Sequence, residues 1–438
     1  MRKTIAFHTL GCKVNQYETQ LLAEAFRRQG FDVVDGSVGA DVYVINSCTV
    51  TGIADRKSRN YARRSKRLNP CAITALIGCY AEVAREYLSE MPEIDILLGS
   101  HEKETLPAVV ASMMEEGAAV AEDGIGTARG PRTAGIRAIA DAPPAGDASA
   151  ASVTGLDART RAYIKVEDGC DRHCAYCVIP RARGAARSRP ARAIVAEAEA
   201  LLRNGYREIV LTGVNAALYG RDFADCGDGI IDIVNQISDL GGDFRIRLSS
   251  LEPTVIDAAY AERLIRCERL CPHLHLPLQS GSDAVLNAMG RGYDMEDYLR
   301  IIDVLRSSDD DFGVTTDMIV GFPGETDADF ARSVEAVEAV GFAGVHVFRY
   351  SRRAGTAAAG MDGQVPADVK RDRAARLALA GEEGAAVFRA KNRGKIRRAL
   401  FLGREGADLY VGVTDNGLSV RVRGDADPAN TFLDVAVD

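Results

Sequence analysis

Short apolar and β-branched runs alternate with longer amphipathic stretches through the first part of the chain. "TIAFHTL" (4–10), "FDVVD" (31–35), "DVYVINS" (41–47), "AITALIG" (72–78) and "IDILLGS" (94–100) have strand character. Between them, "NQYETQLLAEAFRRQG" (15–30), a basic stretch and "AEVAREYLSEM" (81–91) have helical character. This alternation predicts an α/β layer with a mostly parallel sheet over residues 1–116. Residues 117–158, rich in Ala, Gly, Pro and Ser, break the pattern and read as a linker.

A second series follows over 159–380. Its strand runs are "YIKVE" (163–167), "EIVLTG" (208–213), "FRIRLSS" (244–250), "HLHLPLQ" (273–279), "VTTDMIV" (314–320) and "GVHVFRY" (344–350). Helical stretches such as "RAIVAEAEALLRNG" (192–205) and "DADFARSVEAVEAVG" (327–341) separate them. Six βα units fall short of the eight that close a barrel, so an open partial barrel is expected. Over 381–438, "RRALFLG", "DLYVGVT" and "LSVRVRG" alternate like antiparallel strands, the pattern of a small β-barrel.

Charge changes the picture only locally. The net charge of −8 does not mark a nucleic-acid binder, but three basic patches stand out. "DRKSRNYARRSKR" (55–67) has seven basic residues against one acid, "RARGAARSRPAR" (181–192) five arginines, and "RAKNRGKIRRALFLGR" (389–404) seven basic residues. Three patches in one acidic chain suggest an anionic polymer as partner. Arg56, Arg59, Arg63 and Arg67 recur at helical spacing, so one helix face could track phosphates; Lys395 and Arg397 lie in the third patch. No apolar run approaches the ~20 residues of a membrane span, and the start lacks a signal-peptide core, so a cytoplasmic protein without membrane contact is expected.

Ten cysteines in that compartment point to metal or redox chemistry rather than disulfides. "CDRHCAYC" places Cys170, Cys174 and Cys177 at C-x3-C-x2-C, directly after the first strand of the second series. Three thiolates on a four-iron cluster leave one iron open for another ligand. Zinc held by these cysteines and His173 is the rival, though adjacent ligands on one short loop suit a tetrahedron poorly. Cys12, Cys48 and Cys79 each follow a predicted strand, so in a parallel sheet they share one edge and can converge. The bland alternative is three small buried core residues. Cys71, Cys226, Cys267 and Cys271 read as structural.

The C-x3-C-x2-C loop, with Tyr176 before its last cysteine, resembles the radical S-adenosylmethionine superfamily. The resemblance implies that the open iron binds the methionyl group of S-adenosylmethionine. It extends to "LTGVN" (Gly213 and Asn215, near the methionyl amine), "SSLEP" (Glu252, on the ribose hydroxyls) and "PLQSGSD" with "MGRGY" (Gln279 and Arg291, on the methionyl carboxylate). "DMIVGFPGET" (317–326) resembles the segment that reads adenine. Two cysteine trios and a tail barrel together resemble the methylthiotransferases. "HTLGCKVNQYET" (8–19), "GCDRHCAYCVIPRARG" (169–184) and "YSRRAGTAAAGM" (350–361) are most similar to the branch acting on N6-threonylcarbamoyladenosine in tRNA.

That resemblance implies two 4Fe–4S clusters. The first cleaves S-adenosylmethionine to a 5′-deoxyadenosyl radical; the second, on Cys12, Cys48 and Cys79, supplies methylated sulfur. The product would be the 2-methylthio nucleoside beside the anticodon. A TRAM-like RNA-binding tail, a reductant and a sulfur donor, both unidentified, complete the expected partners. Isopentenyladenosine in tRNA and a ribosomal-protein aspartate remain alternative targets, and a zinc-stabilised RNA-binding protein is the non-enzyme alternative.

Overall fold

A computed structural model describes residues 2–122, 160–225, 227–406, 408–424 and 427–438, the side chains of 116–122 excepted. Most of the expected linker, and Cys226, lie outside the described residues. The described chain divides into two compact units. One holds 2–122 together with Val178–Ala185, the other 160–177 and 186–438.

The first unit is built on five parallel strands, β1 (Thr4–Thr9), β2 (Asp32–Val34), β3 (Val42–Ser47), β4 (Ile73–Gly78) and β5 (Ile96–Leu98), in the order β2-β1-β3-β4-β5. β3 and β4 are buried at every position, as central parallel strands covered on both faces must be. Alternation divides their side chains between two cores. Val44, Ile77 and Leu98 pack with Phe26 and Leu106, whereas Ile45, Leu76 and Leu97 pack with Ala62 and Tyr80. Helix Gly52–Leu68 starts where the Thr51 side chain accepts a hydrogen bond from the Ala54 N–H.

The second unit contains β6 (Arg161–Lys165), a two-residue pair β7 (Glu167–Asp168) and β8 (Arg187–Ser188), then β9 (Glu208–Thr212), β10 (Arg245–Leu248), β11 (His273–His275), β12 (Gly313–Val320) and β13 (Gly344–Arg349). Parallel pairing runs β6-β9-β10 and β11-β12-β13, and the bridges Ile246–Leu270 and Ser250–His275 join the two sets. Six parallel strands in chain order form the open (βα)6 barrel expected from the sequence. Capping boxes at Asp294 and Thr326 start two of its helices.

The tail is an antiparallel sheet of β14 (Ile396–Arg404), β15 (Leu409–Thr414), β16 (Ser419–Arg423) and β17 (Phe432–Ala436), ordered β16-β15-β14-β17. A bulge between Phe401 and Gly403 bends β14, and the sheet is TRAM-like. Two features differ from the sequence reading. β17 lies outside the three runs expected as strands over 381–438, and the boundary expected at residue 380 falls inside helix Ala367–Asn392. The tail therefore belongs to the second unit rather than standing apart.

Candidate active site

In the first unit, the ends of β1, β3 and β4 deliver Cys12, Cys48 and Cys79 to one edge of the sheet, and Cys48 senses both other thiols electrostatically. Gly11 makes the approach possible. Its φ is +94°, and a Cβ there would lie 2.6 Å from the Cys48 Cβ. Asn15, one helical turn from Cys12, donates to Leu10 O (2.6 Å) and Ser47 O (3.0 Å), tying the loops of β1 and β3 together. Its Oδ1 lies 4.0 Å from the Cys12 sulfur and accepts from Arg183 at 2.6 Å. Arg183, 1% exposed, also donates to Glu18 (3.0 Å), which pairs with buried Lys103. Two cations share one carboxylate beside three thiols. That balance suits an anionic group.

In the second unit, the loop after β7 carries Cys170, Cys174 and Cys177. Its backbone is pinned from two sides: Ala175 N–H donates to Met289 O (2.8 Å), and Ala358 N–H donates to Ala175 O (2.8 Å). Met289, Phe322, Tyr350 and Ala358 form an apolar cluster against Ala175, with Tyr176 at its margin. The helix Asp283–Met289 ends at Gly290, and the next residue is Arg291. Buried Arg291 donates to the Cys174 sulfur (3.2 Å) and the Tyr176 hydroxyl (3.2 Å), and it pairs with Glu252. Glu252 also accepts from Asn215 Nδ2 (3.0 Å). Thus Tyr176, Asn215, Glu252 and Arg291 meet at the cysteine loop.

Gln279 stands at the same strand ends with φ of 70°, a conformation a non-glycine residue adopts at a cost. Its N–H donates to Asp317 O and its carbonyl accepts from Ile319 N–H, which fixes it there. Gly213 allows a close approach, since a Cβ would lie 2.6 Å from Glu167 Oε2. That oxygen accepts the Asn215 N–H (3.0 Å). Fully buried Glu167, which sequence reading passed over as the end of a strand, therefore sets the turn carrying Asn215.

The thiols also fit a multi-iron group better than a single ion. Zinc–sulfur bonds near 2.3 Å place tetrahedral thiolates roughly 3.8 Å apart. Among the described residues, only His275, Asp317 and His346 bring three such ligand atoms within 4.8 Å of one another, so neither thiol trio is gathered onto one ion. His173 is exposed. Burial pushes the Cys48 and Cys170 thiols up to about 12, which an iron centre would reverse by stabilising thiolate.

The basic residues divide. Arg56, Arg63 and Arg67 are exposed on helix Gly52–Leu68, with Arg63 3.6 Å from Glu93. Arg59 instead packs over the rings of Tyr80 and Tyr87 and donates to the Tyr80 hydroxyl. Lys395 and Arg397 are engaged within the fold, by Asp311 (2.5 Å) and by Asp309 (3.1 Å) and Asp311 (3.2 Å). Cys267 and Cys271 are buried, whereas Cys71, read as structural, is exposed.

A six-stranded partial barrel with its cysteine loop at the strand ends is the architecture of a radical S-adenosylmethionine enzyme. Residues 164–337 match the Radical SAM superfamily, and residues 4–99 match Uncharacterized protein family UPF0004. The methyltransferase TsrM of Kitasatospora setae, a radical S-adenosylmethionine enzyme, shares the fold with a TM-score of 0.52 at 16% identity, over 81% of this chain and 76% of its own. Relatives at higher identity narrow the class. The threonylcarbamoyladenosine tRNA methylthiotransferase MtaB of Thermotoga maritima is 38% identical over 91% of this chain and 86% of its own length. MtaB of Bacillus subtilis is 35% identical over 99% and 93%. The tRNA-2-methylthio-N(6)-dimethylallyladenosine synthase of Clostridium perfringens is 31% identical over 97% and 92%.

The chain belongs to the radical S-adenosylmethionine methylthiotransferases of tRNA. It is a transferase whose family uses S-adenosylmethionine and a 4Fe–4S cluster, and the non-catalytic zinc reading falls. No helix among the described residues is long and apolar enough to cross a membrane.

Proposed function

We propose that the protein converts N6-threonylcarbamoyladenosine next to the tRNA anticodon to its 2-methylthio derivative. The observation that carries this reading is the likeness, over nearly the whole chain, to relatives named for that substrate. Their identities run from 34% to 38%, against 31% to 32% for those named for the dimethylallyl nucleoside. When bound, S-adenosylmethionine and its 4Fe–4S cluster supply the radical chemistry that an unactivated aromatic C–H bond requires.

The protein's own part is placement. Cys170, Cys174 and Cys177 hold the first cluster. Arg291 and Gln279 orient the methionyl carboxylate, a planar anion that a guanidinium matches. Glu252, steadied by Asn215, accepts from the ribose hydroxyls, and Tyr176 closes the side of the loop. Cys12, Cys48 and Cys79 hold a second cluster as the sulfur-bearing site, with the cation pair behind Glu18 balancing its charge. Arg56, Arg63 and Arg67 offer a helix face to tRNA phosphates. A reductant and a sulfur donor must restore the clusters between turnovers, and the work is placed in the cytoplasm, where tRNA is modified.

Nucleoside mass spectrometry of tRNA from cells lacking the protein tests the substrate. Loss of the methylthio mark with accumulation of threonylcarbamoyladenosine is expected. Accumulation of isopentenyladenosine instead would move the reaction to that nucleoside.

A further inference from the structure

The inner face of the second unit carries a polar cluster that meets the S-adenosylmethionine residues only at Asp317, the first residue of the segment expected to read adenine. β11, β12 and β13 pair in register, so His275, Thr315, Asp317 and His346 fall on one face. The opposite face is covered by helices. At Gly381 of helix Ala367–Asn392, a Cβ would come 2.9 Å from the Val345 Cβ. The uncovered face is closed at its lower row, where the Asn416–Gly417 turn abuts Gly313 and His273. Above that floor, His275 Nε2 lies 3.3 Å from Asp317 Oδ2, and His346 Nδ1 lies 3.1 Å from Asp317 Oδ1. Thr315 Oγ1, 2.9 Å from His275 Nδ1, fixes the imidazole so that its other nitrogen meets the carboxylate. Burial opposes ionisation of Asp317, but the hydrogen bonds from His275 and His346 hold its carboxyl well below the usual range.

Exposure rises from 12% at His275 through 29% at Asp317 to 65% at His346, so the cluster opens in one direction. Its place along the strands is informative. Ser250 bridges His275, and Glu252 follows two residues later. Asp317 O accepts the Gln279 N–H. The cluster is therefore tied along the strands to Gln279 and, through Ser250, to the segment that carries Glu252.

We propose that His275, Asp317 and His346 bind the threonylcarbamoyl arm of the adenosine and so set the preference for it over an alkenyl N6 group. The inference rests on the substrate reading above. The arm brings urea N–H donors, a carbonyl, a hydroxyl and a carboxylate. The urea N–H groups suit the carboxylate of Asp317, and the outward imidazole of His346 suits the carboxylate of the threonyl end. A dimethylallyl group offers none of these partners. A site that hydrogen-bonds its substrate discriminates against an analogue that cannot make those bonds.

The test uses the full chain with reconstituted clusters, as wild type, Asp317→Asn and His346→Ala. Substrates are tRNA carrying threonylcarbamoyladenosine and the same tRNA carrying isopentenyladenosine, with S-adenosylmethionine cleavage and metal content measured in parallel. Each variant should raise KM for the threonylcarbamoyl tRNA by roughly tenfold or more and narrow the preference between the two tRNAs, and His346→Ala, which lies outside the segment expected to read adenine, should still cleave S-adenosylmethionine. Unchanged KM and preference would overturn the assignment. So would loss of S-adenosylmethionine cleavage in His346→Ala, which would give the trio to that cofactor. A divalent ion beyond the cluster iron, present in wild type and absent from Asp317→Asn, would make the trio a metal centre instead. A wild-type enzyme that ignores threonylcarbamoyl tRNA but modifies the isopentenyl one would defeat the substrate reading itself, whatever the variants do.

Discussion

Arg183 shows how a residue's role can invert between sequence and structure. In "RARGAARSRPAR" it belongs to a basic patch, yet the structure buries it in the first unit on Glu18, 165 positions away in the chain. Periodicity and local composition carry no information about a partner that distant, which is why its burial was not legible. The placement of Cys12, Cys48 and Cys79 was legible because each follows a strand run, and strand ends in a parallel sheet share an edge. Arg183 gives a prediction for the cluster proposed on Cys12, Cys48 and Cys79. Because Glu18 keeps Lys103 as a partner, Arg183→Gln should fold while removing one positive charge near the thiols. At an effective dielectric constant near 20, a unit charge several ångströms away shifts a reduction potential by on the order of 100 mV. A redox titration followed by electron paramagnetic resonance should show one cluster signal shifted to lower potential and the other unmoved. Two unmoved signals would separate Arg183 from the cluster.

Among the elements, the longer strands were readable because burial on both faces demands continuous apolar runs, as in β3 and β4. β7 and β8, two residues each, are too short to show a period, and β17 is a one-faced strand with Asp434 at its centre. What joins the tail to the barrel was equally hidden. Fully buried Glu208, at the start of β9, accepts from Arg161 (2.6 Å), Arg245 (2.6 Å) and Arg247 (3.3 Å). Arg245 continues to Arg398 O (3.2 Å) and Val413 O (2.8 Å), and Arg247 to Thr414 O (3.0 Å), all in the tail. Burial opposes the charge on Glu208, but Arg247, Arg245 and Arg161 outweigh it and hold the carboxyl well below the ordinary glutamate range. With the folded value depressed, the stabilisation is complete above the unfolded pKa, about 4.3. It is lost as pH falls towards the folded value. Glu208→Gln should therefore weaken tail docking by about 3–5 kcal/mol at neutral pH. The gap between wild type and variant, followed by limited proteolysis in graded urea, should close as pH falls below about 4. A gap that is constant with pH would mean the glutamine acts through packing rather than charge.

Over the whole molecule, a net charge of −8 coexists with a helix whose exposed Arg56, Arg63 and Arg67 lie along one side. If that side meets phosphates, replacing the three with Glu should weaken tRNA binding several-fold and flatten its dependence on salt. An unaltered salt slope would move the RNA surface elsewhere. The cofactor count is the broader test, because it treats the two units independently. If each trio holds one four-iron cluster as proposed, anaerobically purified protein should contain roughly eight irons per chain with matching sulfide. Changing Cys170, Cys174 and Cys177 to Ala should remove about half of that iron and all S-adenosylmethionine cleavage. Changing Cys12, Cys48 and Cys79 should remove the other half, abolish methylthio transfer and leave cleavage intact, since Glu252, Gln279 and Arg291 all lie in the second unit. Only a chain with both centres gives this crossed result. Four irons in the wild type, all lost with the second unit's trio, would leave one cluster and make Cys12, Cys48 and Cys79 part of the core rather than the source of sulfur.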